Sequence, residues 1–219
     1  MRVMAATSHP LATLIALDVL RRGGNAMDAA VAAIALLGVV EATQTGIGGD
    51  CFVLYMRRGE GEIIALNGSG WAPAAASLDR YTDRGIRSIP SDSADAVTVP
   101  GAVASWTRLI DDHGTMKLAD LLQPAIAAAE DGYPVTERVA RDWARQADKL
   151  RKNKAAASIF LPNGTAPRPG DVHRQPALAA ALRSIASDGP TAFYEGWIAR
   201  DMAAAATRWK IFPPMRRNM

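Results

Sequence analysis

The stretch Gly46-Ile47-Gly48-Gly49-Asp50-Cys51-Phe52-Val53-Leu54-Tyr55 decides the fold, because the hydrophobic period changes across it. Upstream, apolar residues recur at the three- and four-residue spacing of helices. Downstream, Cys51 to Tyr55 and Ile63-Ile64-Ala65-Leu66 are short, apolar and partly β-branched, and the charged turn Arg57-Arg58-Gly59-Glu60-Gly61 separates them. These runs predict a β-hairpin buried on both faces, and therefore a layered α/β fold in which helices cover the sheet. The glycines do not form a phosphate cradle. They lie between a helix and a strand, and they lack both the Lys-Ser/Thr ending of a P-loop and the strand-before, helix-after setting of a dinucleotide site. Tight backbone turning is their expected work.

Working back toward the start, Ser8 is the expected cap of a helix with Pro10 in its first turn and Leu11, Leu14, Ile15 and Leu17 on its apolar face. Arg21-Arg22 suit the negative end of that helix, and Gly23-Gly24 stop it. Asn25 should cap a second, alanine-rich helix with Asp28 at its third position, apolar nearly all round and so buried. Working forward, Asn67-Gly68-Ser69-Gly70-Trp71-Ala72-Pro73 follows the second strand at once. Its small residues let a substrate or another chain segment approach the backbone closely. Helices dominate afterwards. Pro100-Gly101 opens one carrying Val103, Trp106, Leu109 and Ile110. Leu118 to Ala129 carry another, in which Pro124 predicts a kink or a restart. Further helices are expected from Thr136-Glu137, near Pro176 to Ser187, and from Thr191 to Met202.

At 219 residues, 49% apolar and 21% charged, the chain can bury a sizeable core. Its formal charge is +3, but the final stretch 203–219 holds Arg208, Lys210, Arg216 and Arg217 and no acid, which leaves −1 for the rest. A basic stripe on the folded domain would be the footprint of a polyanion partner, so neither nucleic acid nor membrane is expected as a partner. Cys51 is the only cysteine, which rules out an intrachain disulfide. No apolar core of a secretory signal precedes Ser8-His9-Pro10, and the longest apolar run, Ala29 to Val40, falls short of the ~20 residues needed to span a bilayer. A cytoplasmic location is the expectation.

The residues alone show no catalytic constellation. His9, His113 and His173 have no ligand-type neighbours at metal spacing, so no metal and no cofactor is expected. Ser69 sits in Gly-Ser-Gly, which is not a Gly-x-Ser-x-Gly elbow. Asp111-Asp112 and Glu130-Asp131 read as charged helix ends.

Ordered motifs carry the reading further: Ser8-His9-Pro10-Leu11-Ala12, Gly23-Gly24-Asn25-Ala26-Met27-Asp28-Ala29-Ala30, Thr45-Gly46-Ile47-Gly48-Gly49-Asp50, Val99-Pro100-Gly101-Ala102-Val103, Leu121-Leu122-Gln123-Pro124-Ala125-Ile126, Glu130-Asp131-Gly132-Tyr133-Pro134-Val135 and Gly170-Asp171. Each is weak alone, but in this order and spacing the set resembles the opening of the gamma-glutamyltranspeptidases over nearly all of the chain ahead of the tail. The resemblance implies an Ntn-hydrolase type αββα layered sandwich, made as a precursor that cuts itself into large and small subunits. The new N-terminal threonine of the small subunit is the nucleophile, with its own amine as base. The implied substrates are small-molecule amides, above all gamma-glutamyl amides such as glutathione, with transfer to water or an amino acceptor.

Two departures from the family pattern stand out. The family's large subunit has an arginine after this hairpin that grips the substrate's α-carboxylate. Alignment on Ala72-Pro73 places Ser69 there, between Gly68 and Gly70, so these three are the candidate substrate-binding residues, in a form that resembles the amidohydrolase-like branch. The threonine nucleophile and its small subunit are absent from these 219 residues, so no catalytic residue is assigned. Residues 1–202 are thus read as the N-terminal portion of a large subunit, the sandwich incomplete and the chain inactive alone. The alternatives are part of a related amidohydrolase whose substrate has no gamma-glutamyl group, a non-enzymatic binding module reusing half the fold, and a small subunit supplied in trans. The tail 203–219 reads as an out-of-frame product. With suitable codons at Arg208, Lys210 and Ile211, reading one base earlier from Trp209 through Phe212 spells Met-Glu-Asp-Phe, similar to a Glu-Asp-Phe that the family shows after such a helix.

Overall fold

The computed structural model describes residues 3–57, 60–73, 76–90 and 93–208. It is a helix-rich α/β protein that divides into two compact units. One is Met1–Ile47 with Trp106–Gly189, the other Gly48–Ser105 with Pro190–Met219.

The first unit begins with α1 (Pro10–Arg21) and α2 (Ala26–Val40), joined by a turn in which Gly23 takes φ +95°, a conformation that favours glycine. Asn25 caps α2 as predicted, its side chain accepting from the Met27 and Asp28 amides, and the Asp28 carboxylate makes the cap reciprocal by accepting from the Asn25 amide. The helix is buried along most of its length, as its unbroken apolar composition requires. The expected cap of α1 is corrected. His9, not Ser8, occupies that position, with Nδ1 accepting from the Leu11 amide at 3.2 Å, because the Ser8 hydroxyl is committed to Glu41. The expected apolar face is corrected too. The buried residues are Ala12, Ala16, Val19 and Leu20, whereas Leu14 is exposed, since small side chains let α1 lie close against α2.

The rest of this unit packs α5 (Leu118–Asp131) against α2 and α8 (Pro176–Asp188). Pro124 lies inside α5 without restarting it. At its end Gly132, φ +96°, leads into β3 (Tyr133–Pro134), which pairs antiparallel with β4 (Val172–His173). From α6 (Glu137–Arg151), Trp143 enters a buried aromatic group with His173 at 4.8 Å and Phe160, the last residue of α7 (Lys154–Phe160), at 5.8 Å between ring centroids. Complete burial of Trp143 makes this group a main source of stability.

In the second unit β1 (Cys51–Met56) and β2 (Ile63–Gly68) pair antiparallel, Cys51 opposite Gly68 and Met56 opposite Ile63. The hairpin forms as predicted, but its burial on both faces is overturned. Side chains alternate across a strand, and the face carrying Phe52, Leu54, Met56 and Ile63 is open, Phe52 being 67% and Leu54 80% exposed. Beyond it lie the short α3 (Leu78–Asp83) and the start of α4 (Ala102–His113). The helix expected over Thr191–Met202 is two, α9 (Pro190–Tyr194) and α10 (Trp197–Arg208), interrupted at Glu195-Gly196. Residues 209–219, most of the predicted out-of-frame tail, lie outside the described residues. None of the described helices is long and apolar enough to cross a membrane.

Candidate functional site

The three candidate substrate-binding residues leave the end of β2 in the second unit, where three backbone segments meet with almost no side chain between them. A β-carbon on Gly68 would overlap the Ser105 hydroxyl, one on Gly70 the Val99 carbonyl oxygen, and one on Gly101 the Gly68 carbonyl oxygen. The local chemistry therefore explains the glycines: they admit a neighbouring chain segment on that side. Ser69 sits between them and is exposed. Its amide donates to Asn67 Oδ1 at 3.0 Å, and the Gly70 amide donates to Asp50 Oδ1 at 2.9 Å. Both loop amides are thus taken by acceptors from the chain itself.

The neighbouring segments are tied in turn. The Val99 amide donates to the Trp71 carbonyl, and the Gly101 and Ala102 amides, at the start of α4, both donate to the Gly49 carbonyl at 3.0 Å. The Ser105 hydroxyl bonds back to the Gly101 carbonyl. On the far side of this turn the Tyr194 hydroxyl donates to the Pro100 carbonyl at 2.8 Å and accepts from the Ala104 amide at 3.1 Å. Burial pushes the Cys51 thiol up from its ordinary range.

The first unit contains two buried polar centres. The Asp28 carboxylate accepts from the Thr115 amide and hydroxyl and from the Met116 amide, besides capping Asn25. Burial alone would raise its pKa, but the bonds from Thr115, Asn25 and Met116 outweigh that and hold it below the usual carboxylate value. Glu41, at the end of α2, is buried. It accepts from the Ser8 hydroxyl at 2.8 Å and pairs with Arg138, which also reaches Asp142 and the Ser8 carbonyl. His9 lies beside this group. Burial lowers its pKa, the Glu41 charge opposes that, and Arg138 adds to it. Burial likewise lowers the pKa of His173. Among the described residues no three His, Cys, Asp or Glu side chains converge as a metal centre would require.

Sequence reading missed Asp50, Tyr194, Glu41 and Arg138. Asp50 stood in a turn motif, and nothing local marks Tyr194 as a partner of a segment some 90 residues away (|i−j| = 90 to Ala104). For Asp28 the capping pattern gave half of the role, and the contact with Thr115 gave the rest.

Solved structures define the class of this fold. The chain superposes on the gamma-glutamyltranspeptidase of Helicobacter pylori with a TM-score of 0.91 at 32% identity, covering 96% of this chain and 61% of that one. On a cephalosporin acylase of Bacillus halodurans the TM-score is 0.88 at 37% identity, covering 97% of this chain and 42% of that one. The gamma-glutamyltranspeptidase family profile matches residues 12–209, and the chain belongs to that family. Among curated relatives it is 42% identical over 206 residues to an oxamate amidohydrolase proenzyme of Klebsiella pneumoniae, covering 91% of this chain. It is 39% identical over 198 residues to a glutathione hydrolase-like proenzyme of Bacillus subtilis, covering 90% of this chain. The chain spans 38% and 37% of those two proteins.

Proposed function

We propose that these residues form the N-terminal part of the large subunit of an amide hydrolase of the gamma-glutamyltranspeptidase family. In this reading they supply one portion of an αββα sandwich, the rest of the large subunit and a threonine-led small subunit complete the layers, and the small subunit supplies the nucleophile. The observation that carries it is the open apolar face of the β1–β2 hairpin, in a chain that follows the family profile almost throughout yet spans under two-fifths of its curated relatives. An apolar strand face of this kind needs a covering layer.

Ser69, with Gly68 and Gly70, is the proposed substrate-binding loop. A serine cannot make the two-pronged, charge-assisted grip that an arginine makes on a carboxylate, a loss of ~1.5–3 kcal/mol. The substrate is therefore an amide for which a gamma-glutamyl group is dispensable, a reading in keeping with the relative named for oxamate hydrolysis. The tail 203–219 is kept as an out-of-frame product. α10 itself continues to Arg208, and a gene sequence running in the shifted frame to a threonine-led segment would establish the point.

Purified alone, the 219-residue chain is expected to release no anilide from a gamma-glutamyl anilide beyond a boiled control. Restoring the full-length proenzyme, with the rest of the large subunit and a threonine-led small subunit, is expected to restore amide hydrolysis. Turnover by the chain alone overturns this reading. A stable monomeric 219-residue chain with one cooperative unfolding transition favours the binding module instead.

A further inference from the structure

The Gly68–Gly70 loop has no side-chain packing of its own, since its two glycines face backbone or a small hydroxyl and Ser69 is exposed. Its shape must come from hydrogen bonds, and these form a continuous path. Tyr194 holds the Pro100–Ala104 turn through its hydroxyl. The amides of Gly101 and Ala102 in that turn hold the Gly49 carbonyl. Asp50, the next residue, holds the Gly70 amide through Oδ1. Only the last link touches the loop, and it is the only one made by a charged group.

We infer that Asp50 is a positioning residue that latches the Gly-Ser-Gly loop, and that Tyr194 anchors the latch from α9. The chemistry is specific. A hydrogen bond from an amide to a carboxylate is stronger than one to a neutral acceptor, and it fixes the peptide between Ser69 and Gly70 in one orientation. That orientation sets where the Ser69 hydroxyl points. Tyr194 acts at one remove: without its hydroxyl the Pro100 carbonyl and the Ala104 amide lose their partner, and the Gly49-Asp50 turn loses the fixed surface on which it rests. The inference rests on the substrate-loop reading only where catalysis is measured.

Two measurements test it. In the 219-residue chain, amide hydrogen exchange at Gly70 is expected to rise roughly tenfold in Asp50→Ala and severalfold in Tyr194→Phe, the range for losing one charged or one neutral hydrogen bond. Exchange at Leu37 and Val39 in α2 should stay constant. Asp50→Asn, which keeps an oxygen at the same place, should restore most of the protection. In the restored full-length proenzyme, Asp50→Ala is expected to raise KM for a simple amide about tenfold with little change in kcat, and Asp50→Asn to reverse most of that rise. Unchanged exchange at Gly70 in Asp50→Ala overturns the latch. So does a fall in kcat at constant KM, which would place Asp50 in the chemistry. If the restored full-length wild-type protein hydrolyses no amide, the functional reading fails, and the exchange result still decides the latch.

Discussion

The two units are built on opposite principles. The first is a helical core whose side chains fill space and whose buried carboxylates are tied to distant partners, Asp28 to Thr115 and Glu41 to Ser8 and Arg138. The second is shaped by backbone against backbone, with glycines where side chains would collide and the apolar residues of one hairpin face turned outward. A unit of the first kind stores its stability in volume and in satisfied charge. One of the second kind stores little, and its geometry depends on single hydrogen bonds and on whatever covers it.

This contrast ranks the expected effects of mutation. Trp143→Ala, in the aromatic group of the first unit, should cost about 3–5 kcal/mol, read as a fall in the urea midpoint. A change under 1 kcal/mol would mean that the core is loose. Asp28→Asn keeps the shape but sets an amide N–H against donors, and should cost about 1.5–3 kcal/mol at neutral pH. It also tests acid sensitivity. Because the folded pKa of Asp28 lies below 3.8, its contribution is complete above that value and is lost as pH falls through the folded pKa. The variant should flatten that limb of the stability–pH curve.

Gly70→Ala in the second unit should displace the segment around Val99 at a cost of about 1–3 kcal/mol, visible as faster exchange at the Val99 amide while the first unit is unchanged. The histidines supply a gentler test. His9 and His173 both have lowered pKa values when folded, so they favour the folded state fully above about 6.5. Their contribution drops as pH falls below that value toward the folded pKa. His9→Asn, which retains a capping oxygen, should remove part of that slope without uncapping α1. The smallest effect is expected on the open hairpin face. Leu54→Ser should shift the unfolding free energy by no more than about 0.5 kcal/mol and reduce aggregation in light scattering. A large destabilisation there would show that the face is already covered.

Much of this was legible from local pattern. The reciprocal cap at Asn25 and Asp28, the hairpin from Cys51 to Gly68, and the buried residues of α4 and α5 all follow from spacing within a few residues. The ordered motifs from Ser8 to Asp171 were enough to place the family. The errors share one cause. Ser8 is an ordinary capping residue, but Glu41, 33 positions on, claims its hydroxyl and leaves the cap to His9. Leu14 has the right chemistry for a core, yet the alanines decide which side of α1 approaches α2.

The sequence by itself therefore determined the longer helices, the β1–β2 hairpin, the family and the loop in which Ser69 stands, because caps, turns and hydrophobic period act over one or two helical turns. Tertiary structure alone decided which face of the hairpin stays open, that Asp50 rather than a neighbouring side chain holds the Gly70 amide, and that Tyr194 braces the turn beside it. Such contacts join segments far apart in the chain, and no local pattern marks which carboxylate will meet which amide once the backbone has closed on itself.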